Sequence, residues 1–512
     1  MRAARTAIGL VVAVSLGMAS ACGTTVPLAE RSASSQGSVD GVGGGDNNGL
    51  STGTGGATNG TAGTGTAGTP VAGSTGGVGG VQTSGGSLPT TGTGAGSTGS
   101  SGSSSAPVAS GIRSTAPISL GFLTNSCSQC DSYFGGGSIG GGHSEQTTTQ
   151  SLVNDINKHG GIAGRKIEPH FHEFDLSKSF TAQYQEACSD FTEDHHVAAV
   201  LGYASTWSEL LANCLVKRHT LWLDAGNELG DLTQLSRYPN IFDTNGVSYD
   251  GIMLSGLQSA LLDGWMTKKS RIGVLRGGCN YQMNAYKNTA LPFLKRNGLN
   301  IVTESVYSQC FNGSDVSSFA AFIEGAELKM RSNGVDVVFS PPVESLVYSL
   351  NADSQGYYPK YVSYGAGGAA GEGIFSDRQA SNWHSAGWLP YLDVDTTHQA
   401  ALTSAQKDCL ARAKRGGIDV APSERYNFFG DCDALQVYRR AVVAAGGQTD
   451  LAAVSAAITS LGTSFRSASV LTSATSVSKA RRNFPLNYRA NTYSTGCKCF
   501  LYSGPVRQIG SS

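Results

Sequence analysis

One short segment has the residue pattern of a catalytic serine. Gly136, Ser138 and Gly140 match the G-x-S-x-G sequence that, in serine hydrolases, presents the serine on a sharp turn between a strand and a helix. Here the pattern lies inside a run of glycines, where such matches arise easily by chance. We therefore interpret the segment as a flexible loop and predict that the chain has no catalytic residue.

A second candidate for chemistry is the C-x-x-C motif of Cys127 and Cys130. A redox motif of this type requires a thioredoxin-like setting and an exposed thiol of low pKa at the start of a helix. The sequence indicates neither feature. A structural disulfide is therefore the interpretation that we favour.

Four histidines form the third candidate. His170 and His172 alternate along a predicted strand, and His195 and His196 are adjacent in the sequence. Two histidines at strand spacing can share a metal, but no third ligand follows at a regular spacing. We interpret them as solvent-exposed residues and predict no metal site and no cofactor, since no Walker A or dinucleotide-binding motif occurs either.

The N-terminal residues indicate export. Arg2 and Arg5 precede an apolar stretch at 7–18, which is short for a membrane span and is followed by small residues. The sequence Ala-Ser-Ala-Cys at 19–22 fits an ordinary signal-peptidase site, and it also fits a lipobox, although Ala19 replaces the usual large apolar residue. The cysteine count of 11 is odd, and lipidation of Cys22 leaves an even set. We predict a signal peptide at 1–21 and lipidated Cys22, with a freely secreted form as the alternative.

Export places the remaining cysteines in an oxidising compartment, where they are expected to pair. Proximity along the chain favours Cys188 with Cys214, Cys279 with Cys310, and Cys409 with Cys432. The two close pairs, Cys127/Cys130 and Cys497/Cys499, either close locally or pair with each other. A C-x-C loop is strained, which weakens the local choice for the second pair.

The segment at 22–114 has the composition of a disordered linker. Between residues 47 and 110 no side chain is charged, and Gly, Ser and Thr dominate, so little apolar surface is available for a core. A Gly/Ser-rich coil of ~90 residues has a root-mean-square reach of about 50 Å. The net charge of -1 and the absence of basic runs argue against nucleic acid as a partner.

From Pro117 onward, short apolar runs alternate with helical patterns in two successive series. Such alternation predicts parallel sheets with right-handed crossovers, and two series predict two doubly wound α/β lobes. Ligands of these folds bind beyond the carboxyl ends of the strands. The segments expected at that edge are 124–134, 202–208, 224–228, 277–283, 340–345 and 365–372. Ser205 has the position of an N-cap that opens a helix.

Several blocks resemble a known family in a shared order. The run from Val153 to Ile167, VNDINKHGGIAGRKI, resembles a characteristic block of type I periplasmic binding proteins, and more narrowly of the branched-chain amino-acid binders of ABC transporters. Further similar blocks follow in register at 197–206, 238–242, 271–275, 356–359 and 433–446. The resemblance covers roughly residues 116–500 and implies two lobes that are joined by three crossovers and close on a ligand.

The resemblance also implies a domain order and a set of contacts. The implied domains are a first part of lobe 1 at 115–240, the main part of lobe 2 at 241–364, a return to lobe 1 at 365–430, and a lobe 2 helix with the C-terminal crossover at 431–512. Implied ligand contacts are Ser205, Thr206, Trp207, Ala225, Gly226, Asn227 and Tyr281. Gly226 replaces a threonine that the family often uses for an amino acid, and the family's acidic partner for the ammonium group is missing.

We therefore expect a solute-binding lipoprotein on the outer face of the cell membrane that captures a small organic molecule for an ABC permease. The expected solute is amino acid-like, an amide or an aromatic compound. The membrane is contacted through the lipid anchor only. A ligand sensor that presents its closed form to a signalling receptor is the alternative, and a serine hydrolase based on Ser138 is the third hypothesis.

Overall fold

The computed structural model of the chain describes residues 115–126, 143–175, 178–203, 207–226, 228–310, 316–364, 375–394 and 397–510. The predicted signal peptide, the predicted linker and several predicted site residues lie outside the described residues. These residues are Cys22, Cys127, Cys130, Ser138, Ser205, Thr206 and Asn227.

Five parallel strands form the first sheet, in the order β2-β1-β3-β4-β6. The strands are β1 (Ile118–Ser126), β2 (Ile167–Asp175), β3 (Ala199–Gly202), β4 (Leu221–Asp224) and β6 (Ile241–Asp243). The strands β3, β4 and β6 are buried at every position, as expected of a sheet covered on both sides. In β4, for example, Leu221 and Leu223 pack into one core cluster while Trp222 packs into another.

Helices cover both faces of this sheet. The first-lobe helices are α1 (Glu145–Lys158), α2 (Phe180–Ser189), α3 (Glu209–Lys217), α4 (Leu232–Arg237), α12 (Ser404–Arg415), α13 (Arg425–Ala444) and α14 (Leu451–Ser460). The helix α1 packs against α12 and α13, and α13 also contacts β3 and β4. Ser144 caps α1 by accepting a hydrogen bond from the Thr147 amide (3.2 Å), which satisfies an otherwise orphaned donor.

The second sheet has seven strands in the order β14-β13-β12-β11-β10-β8-β9; β13 is antiparallel to both β12 and β14, and the other neighbouring strands are parallel. Its strands are β8 (Arg271–Arg276), β9 (Asn300–Val306), β10 (Val337–Phe339), β11 (Lys360–Tyr364), β12 (Trp383–Gly387), β13 (Asn487–Ser494) and β14 (Cys499–Gln508). The two sheets confirm the predicted fold class.

The helices of the second lobe are α5 (Tyr249–Leu262), α6 (Asn280–Ala285), α7 (Leu291–Arg296), α8 (Val316–Ser332), α9 (Pro342–Ser354), α10 (Asp377–Ala380) and α11 (Pro390–Asp393). The helix α5 packs on β11 and β12, while α8 and α9 pack together. A small parallel pair, β5 (Glu228–Leu229) and β7 (Val247–Ser248), lies outside both sheets. Among the described helices, none has both the length and the apolar character needed to cross a membrane.

The chain passes between the two sheets three times, and hydrogen bonds join the three passages. Trp388 Nε1 donates to the carbonyl of Asn245 (2.9 Å), and the Leu471 amide donates to the carbonyl of Trp388 (2.7 Å). The Phe484 amide donates to the carbonyl of Asp243 (2.9 Å). The passages therefore form one connected region rather than three independent linkers.

The expected domain boundaries differ from the structure at three places. Ile241–Asp243 pairs with β4 of the first sheet, although residue 241 was expected to begin lobe 2. Trp383–Gly387 pairs with β11 of the second sheet, although 365–430 was assigned to lobe 1. The helix α13 packs on the first lobe, although its residues from 431 onward were assigned to lobe 2. Local patterns do not show which sheet an element joins, because long-range pairing decides that.

Four disulfides are formed among the described cysteines. Three of them are the predicted bonds Cys188–Cys214, Cys279–Cys310 and Cys409–Cys432. The fourth is Cys497–Cys499, which is the local alternative for that pair. The bond between Cys409 and Cys432 joins α12 to α13 on the first lobe.

Candidate functional site

The carboxyl ends of β1, β3 and β4 meet at one edge of the first sheet. Asn125 lies near the end of β1, Tyr203 follows β3, and Gly226 follows β4. Asn125 Nδ2 donates to the carbonyl of Tyr203 (3.0 Å). A Cβ at Gly226 would lie 3.3 Å from the Tyr203 ring, so the three loops are in contact at this edge.

Glu145 is an acidic residue that contacts this edge. It is the first residue of α1 and is 9% exposed. Its Oε2 accepts from the Asn125 amide (2.9 Å), from Asn125 Nδ2 (3.3 Å) and from Asn427 Nδ2 (3.4 Å). Its Oε1 is buried and has no partner among the described residues. Burial, and then the neighbouring Asp431, raise the pKa of Glu145 well above its usual range.

Asp431 and Tyr426 extend this polar cluster along α13. The hydroxyl of Thr149 donates to Asp431 Oδ2 (2.6 Å), and burial raises the pKa of Asp431 to about 7. The Tyr426 hydroxyl is buried and has no partner among the described residues. Burial, and then its interaction with Tyr203, raise the pKa of Tyr426. At the first-lobe edge, burial thus raises the pKa of all three groups, Glu145, Asp431 and Tyr426.

A second polar cluster lies at the carboxyl ends of β8 and β10. Gln282 Nε2 donates to the Tyr249 hydroxyl (2.9 Å) and to Glu344 Oε1 (3.2 Å), while Gln282 Oε1 is buried without a partner among the described residues. Burial raises the pKa of Glu344. A Cβ at Gly277 would lie 2.5 Å from Glu344 Oε1, so the backbone approaches this carboxyl closely only because residue 277 is glycine.

Tyr281 lies beside this second cluster. Its ring meets Tyr249 edge-on, with centroids 4.8 Å apart and an interplanar angle of 72°. The loop before it is fixed by the disulfide between Cys279 and Cys310, and the Gly278 amide donates to the carbonyl of Gln309 (2.9 Å). The predicted contact residue thus lies at the start of α6, at the expected edge of the second sheet and next to a loop that the disulfide fixes.

The other predicted contact residues that the structure describes, Ala225, Gly226 and Trp207, lie in the first lobe. Ala225 and Gly226 lie at the first-lobe edge, and the Gly226 amide donates to Asp224 Oδ1 (3.0 Å). Trp207 is only 6% exposed and stacks on Trp222, with centroids 5.7 Å apart. Its ring is packed into the first-lobe core, while its Nε1 is buried without a hydrogen-bond partner among the described residues, so a ligand contact at Trp207 remains a prediction.

The helix predicted to open at Ser205 begins later. Ser208 is the N-cap of α3, and its hydroxyl accepts a hydrogen bond from the Leu211 amide (3.4 Å). The sequence offers Ser205, Thr206 and Ser208 within four positions, and each residue type suits an N-cap. Local preference alone does not choose among them.

The histidines form a polar cluster around one carboxylate. His172 Nδ1 lies 3.1 Å from one oxygen of Asp190, and His195 Nε2 lies 3.2 Å from the other. His170 stacks on His195, with ring centroids 3.9 Å apart. Among the described residues, one triad has metal-ligand spacing, namely His398, Cys497 and Cys499, but the two cysteines are bonded to each other.

The residues that the sequence analysis did not single out are mainly on α1 and α13. Asn125, Gln282 and Glu344 lie in segments that were expected at the strand ends. Glu145 and Tyr426 lie outside those segments, because they belong to helices that reach the edge. An isolated acidic residue after Ser144 at a helix start has the sequence signature of a helix cap rather than of a site.

Comparison with known families gives a match over most of the folded part. Residues 133–483 match the family model described as periplasmic binding protein. No curated protein sequence matches the chain.

Solved structures share the fold at low sequence identity. LivJ, a branched-chain amino acid transporter substrate-binding protein from Streptococcus pneumoniae in complex with isoleucine, is 17% identical, with a TM-score of 0.51 over 77% of this chain and 99% of that chain. A solute-binding protein of an ABC transporter from Rhodopseudomonas palustris in complex with 3,4-dihydroxybenzoic acid is 14% identical, with a TM-score of 0.53 over 78% and 99%. A fatty acid ABC transporter substrate-binding protein from Thermomonospora curvata is 13% identical, with a TM-score of 0.50 over 77% and 91%.

Replacing Glu145 with glutamine is expected to change how stability depends on pH. Because the folded state raises the pKa of Glu145, the folded state binds its proton more tightly than the unfolded chain does. The stability associated with this proton is fully present below the unfolded pKa and is lost as the pH rises. Relative to Glu145→Gln, the wild type should therefore lose stability as the pH rises above the unfolded pKa of this carboxyl.

Urea denaturation at several pH values measures this difference. Glu186→Gln is the matched control, because it makes the same chemical change at an exposed position on α2. Parallel pH profiles for the wild type and both variants would show that Glu145 is not held protonated by the fold.

Proposed function

Since the chain belongs to the periplasmic binding protein family, we propose that it captures a small organic solute between its two lobes and presents it to an ABC importer. The observation that carries this proposal is the family match over residues 133–483, which spans both sheets. In this mechanism the solute stabilises a closed form of the two lobes, and a membrane permease recognises that form.

The polar groups at the strand ends support the proposal. Each lobe places incompletely bonded polar atoms at the carboxyl edge of its sheet: Glu145 Oε1 and the Tyr426 hydroxyl on the first, and Gln282 Oε1 on the second. A buried polar atom without a partner costs free energy. A solute that bonds to these atoms recovers that cost, so its binding favours the form in which both edges contact it.

The chemistry of the edges favours an uncharged polar solute with hydrogen-bond donors. Burial opposes ionisation of Glu145 and Glu344, and the other groups at the edges are an amide and tyrosines, so the edges are poorly suited to supply the counter-charge that a buried ammonium or carboxylate requires. Gly226 also provides no side chain at the position where the family often has a threonine. Within the expected range of amino acid-like, amide and aromatic solutes, we therefore favour amides and hydroxylated aromatic compounds.

We further propose that Cys22 carries a lipid that anchors the chain to the outer face of the cell membrane. The signal peptide pattern at 1–21 and the even cysteine set that remains support this proposal. Mass spectrometry of the mature protein from its native host should find an N-terminal peptide that begins at lipid-modified Cys22. An unmodified N-terminus beyond residue 22 would contradict the anchor and favour the secreted form.

A thermal-denaturation screen of the chain against amino acids, amides, small aromatics, sugars and short peptides tests the solute class. A ligand at roughly 100 times its dissociation constant should add about 2.7 kcal/mol of stability. We expect the largest shifts among amides and hydroxylated aromatics. Hits confined to free amino acids would contradict the proposed solute class.

Two variants test whether the stabilising ligand binds at the second-lobe edge. Tyr281→Leu should lose most of the ligand-induced shift, because Tyr281 lies at the second-lobe edge. Tyr286→Leu is the matched control, since its hydroxyl is bonded to Glu304 (2.6 Å) instead of lying at the second-lobe cluster. The ligand must be recovered chemically unchanged, and catalytic conversion of it would overturn the binding-protein proposal in favour of an enzyme.

A further inference from the structure

A groove rich in arginine lies between α12 and α13 on the first lobe, apart from the strand ends. Ser404, Asp408 and Arg412 recur at four-residue spacing along α12, and Gln436, Arg439 and Arg440 lie on the facing side of α13. The groove encloses a cavity of about 290 Å³. The disulfide between Cys409 and Cys432 holds the two helices together.

Positive charge exceeds negative charge around this groove. Arg412, Arg439, Arg440 and Arg466 line it, and an adjoining cavity of about 340 Å³ shares Arg412 and Arg439 and adds Arg415. The acidic residues that line the two cavities are Asp155, Asp408 and Asp433. Five guanidinium groups thus face three carboxyl groups.

The three carboxyl groups already have partners. Asp155 Oδ1 accepts from Arg415 Nε (2.7 Å), and Asp408 Oδ2 accepts from Arg412 Nε (2.9 Å). Asp433 is buried and accepts from the amides of Ala468 (2.9 Å) and Ser469 (3.0 Å). These bonds leave no carboxylate for the remaining arginines.

Arg439, Arg440 and Arg466 have no carboxylate within ion-pair distance in the described part of the chain. The Arg440 guanidinium lies over the Phe465 ring, 5.2 Å from its centroid, which orients it without neutralising it. Burial, followed by the nearby charge of Arg412, lowers the pKa of Arg439. Cations are therefore crowded here, and Asp155 and Asp408 offset only part of the charge around Arg439.

Gln436 gives an independent indication of a ligand. It is 8% exposed and lines the groove, and its Nε2 is buried without a hydrogen-bond partner among the described residues. A buried amide donor without an acceptor is unfavourable, so an acceptor in the groove would be stabilised by it. The unpaired Gln436 donor and the excess of positive charge therefore lie in the same groove.

We propose that the groove between α12 and α13 is a binding site for a phosphate-type oxyanion, separate from the solute site. Guanidinium groups bind such anions through paired charge-assisted hydrogen bonds, and Gln436 Nε2 supplies a neutral donor from the floor of the groove. Arg439 and Arg466 contribute charge from opposite sides. The phosphate group belongs either to a free anion or to the headgroup of an anionic lipid of the membrane that anchors the chain.

Isothermal titration calorimetry with inorganic phosphate and with sulfate, against chloride at matched ionic strength, tests the first source. Co-sedimentation with phosphatidylcholine vesicles, with and without phosphatidylglycerol, tests the second. Both use the full chain with Cys22→Ser, so that a lipid anchor does not itself attach the protein to vesicles.

Two variants and one control make the test specific. The double variant Arg439→Gln/Arg466→Gln should weaken oxyanion binding at least about tenfold, because each lost bond is charge-assisted. Gln436→Met removes the unpaired amide and should weaken binding several-fold without loss of thermal stability. The control Arg296→Gln/Arg331→Gln removes the same charge from exposed helix ends of the second lobe and should bind as the wild type does.

Binding of phosphate or sulfate with this variant pattern supports a free oxyanion as the ligand. Binding of phosphatidylglycerol vesicles alone, with the same variant pattern, supports a lipid headgroup. The proposal is overturned if neither anion source binds better than chloride or neutral vesicles, or if the control variant loses as much affinity as the groove variants. In every case binding of the organic solute should be unaffected by the groove variants.

Discussion

Buried aspartates that accept hydrogen bonds from nearby backbone amides fix the segments around the passages between the two sheets. Asp224 accepts from the Gly226 amide (3.0 Å), Asp243 accepts from the Asn245 amide (2.8 Å), and Asp393 accepts from the Leu389 amide (2.9 Å). Burial raises the pKa of Asp224 and of Asp393 to about 7. A carboxyl in such surroundings is tolerated only where donors surround it, so these bonds fix the loops that follow the strands.

The same constraint shapes the two candidate ligand edges. The loops after β1, β3 and β4 and the loops after β8 and β10 must satisfy their buried polar atoms without bulk water. Most are satisfied within the protein, but Glu145, Tyr426 and Gln282 each retain one atom without a partner among the described residues. Those atoms indicate a candidate binding site, because a ligand can form the hydrogen bonds that the protein itself does not provide.

The sequence was sufficient for the layered architecture and for three disulfides, since strand and helix periods and cysteine proximity are local properties. The sequence was not sufficient to assign every element to its sheet. In the structure, β12 and α13 belong to the opposite lobes from those expected. The stacking of Trp207 on Trp222 could not be predicted either, because it depends on how two separate segments pack together. Glu145 was not singled out, because its burial depends on α13, which is distant in the sequence.

Hydrogen–deuterium exchange with and without a saturating solute tests most directly whether one ligand contacts both lobes. With bound solute, we expect slower exchange at 121–126 and 143–149 in the first lobe and also at 277–283 in the second lobe. Exchange in α12 should not change, because the arginine groove is a separate site. If the solute slows amide exchange in one lobe only, it is not held between the two sheets.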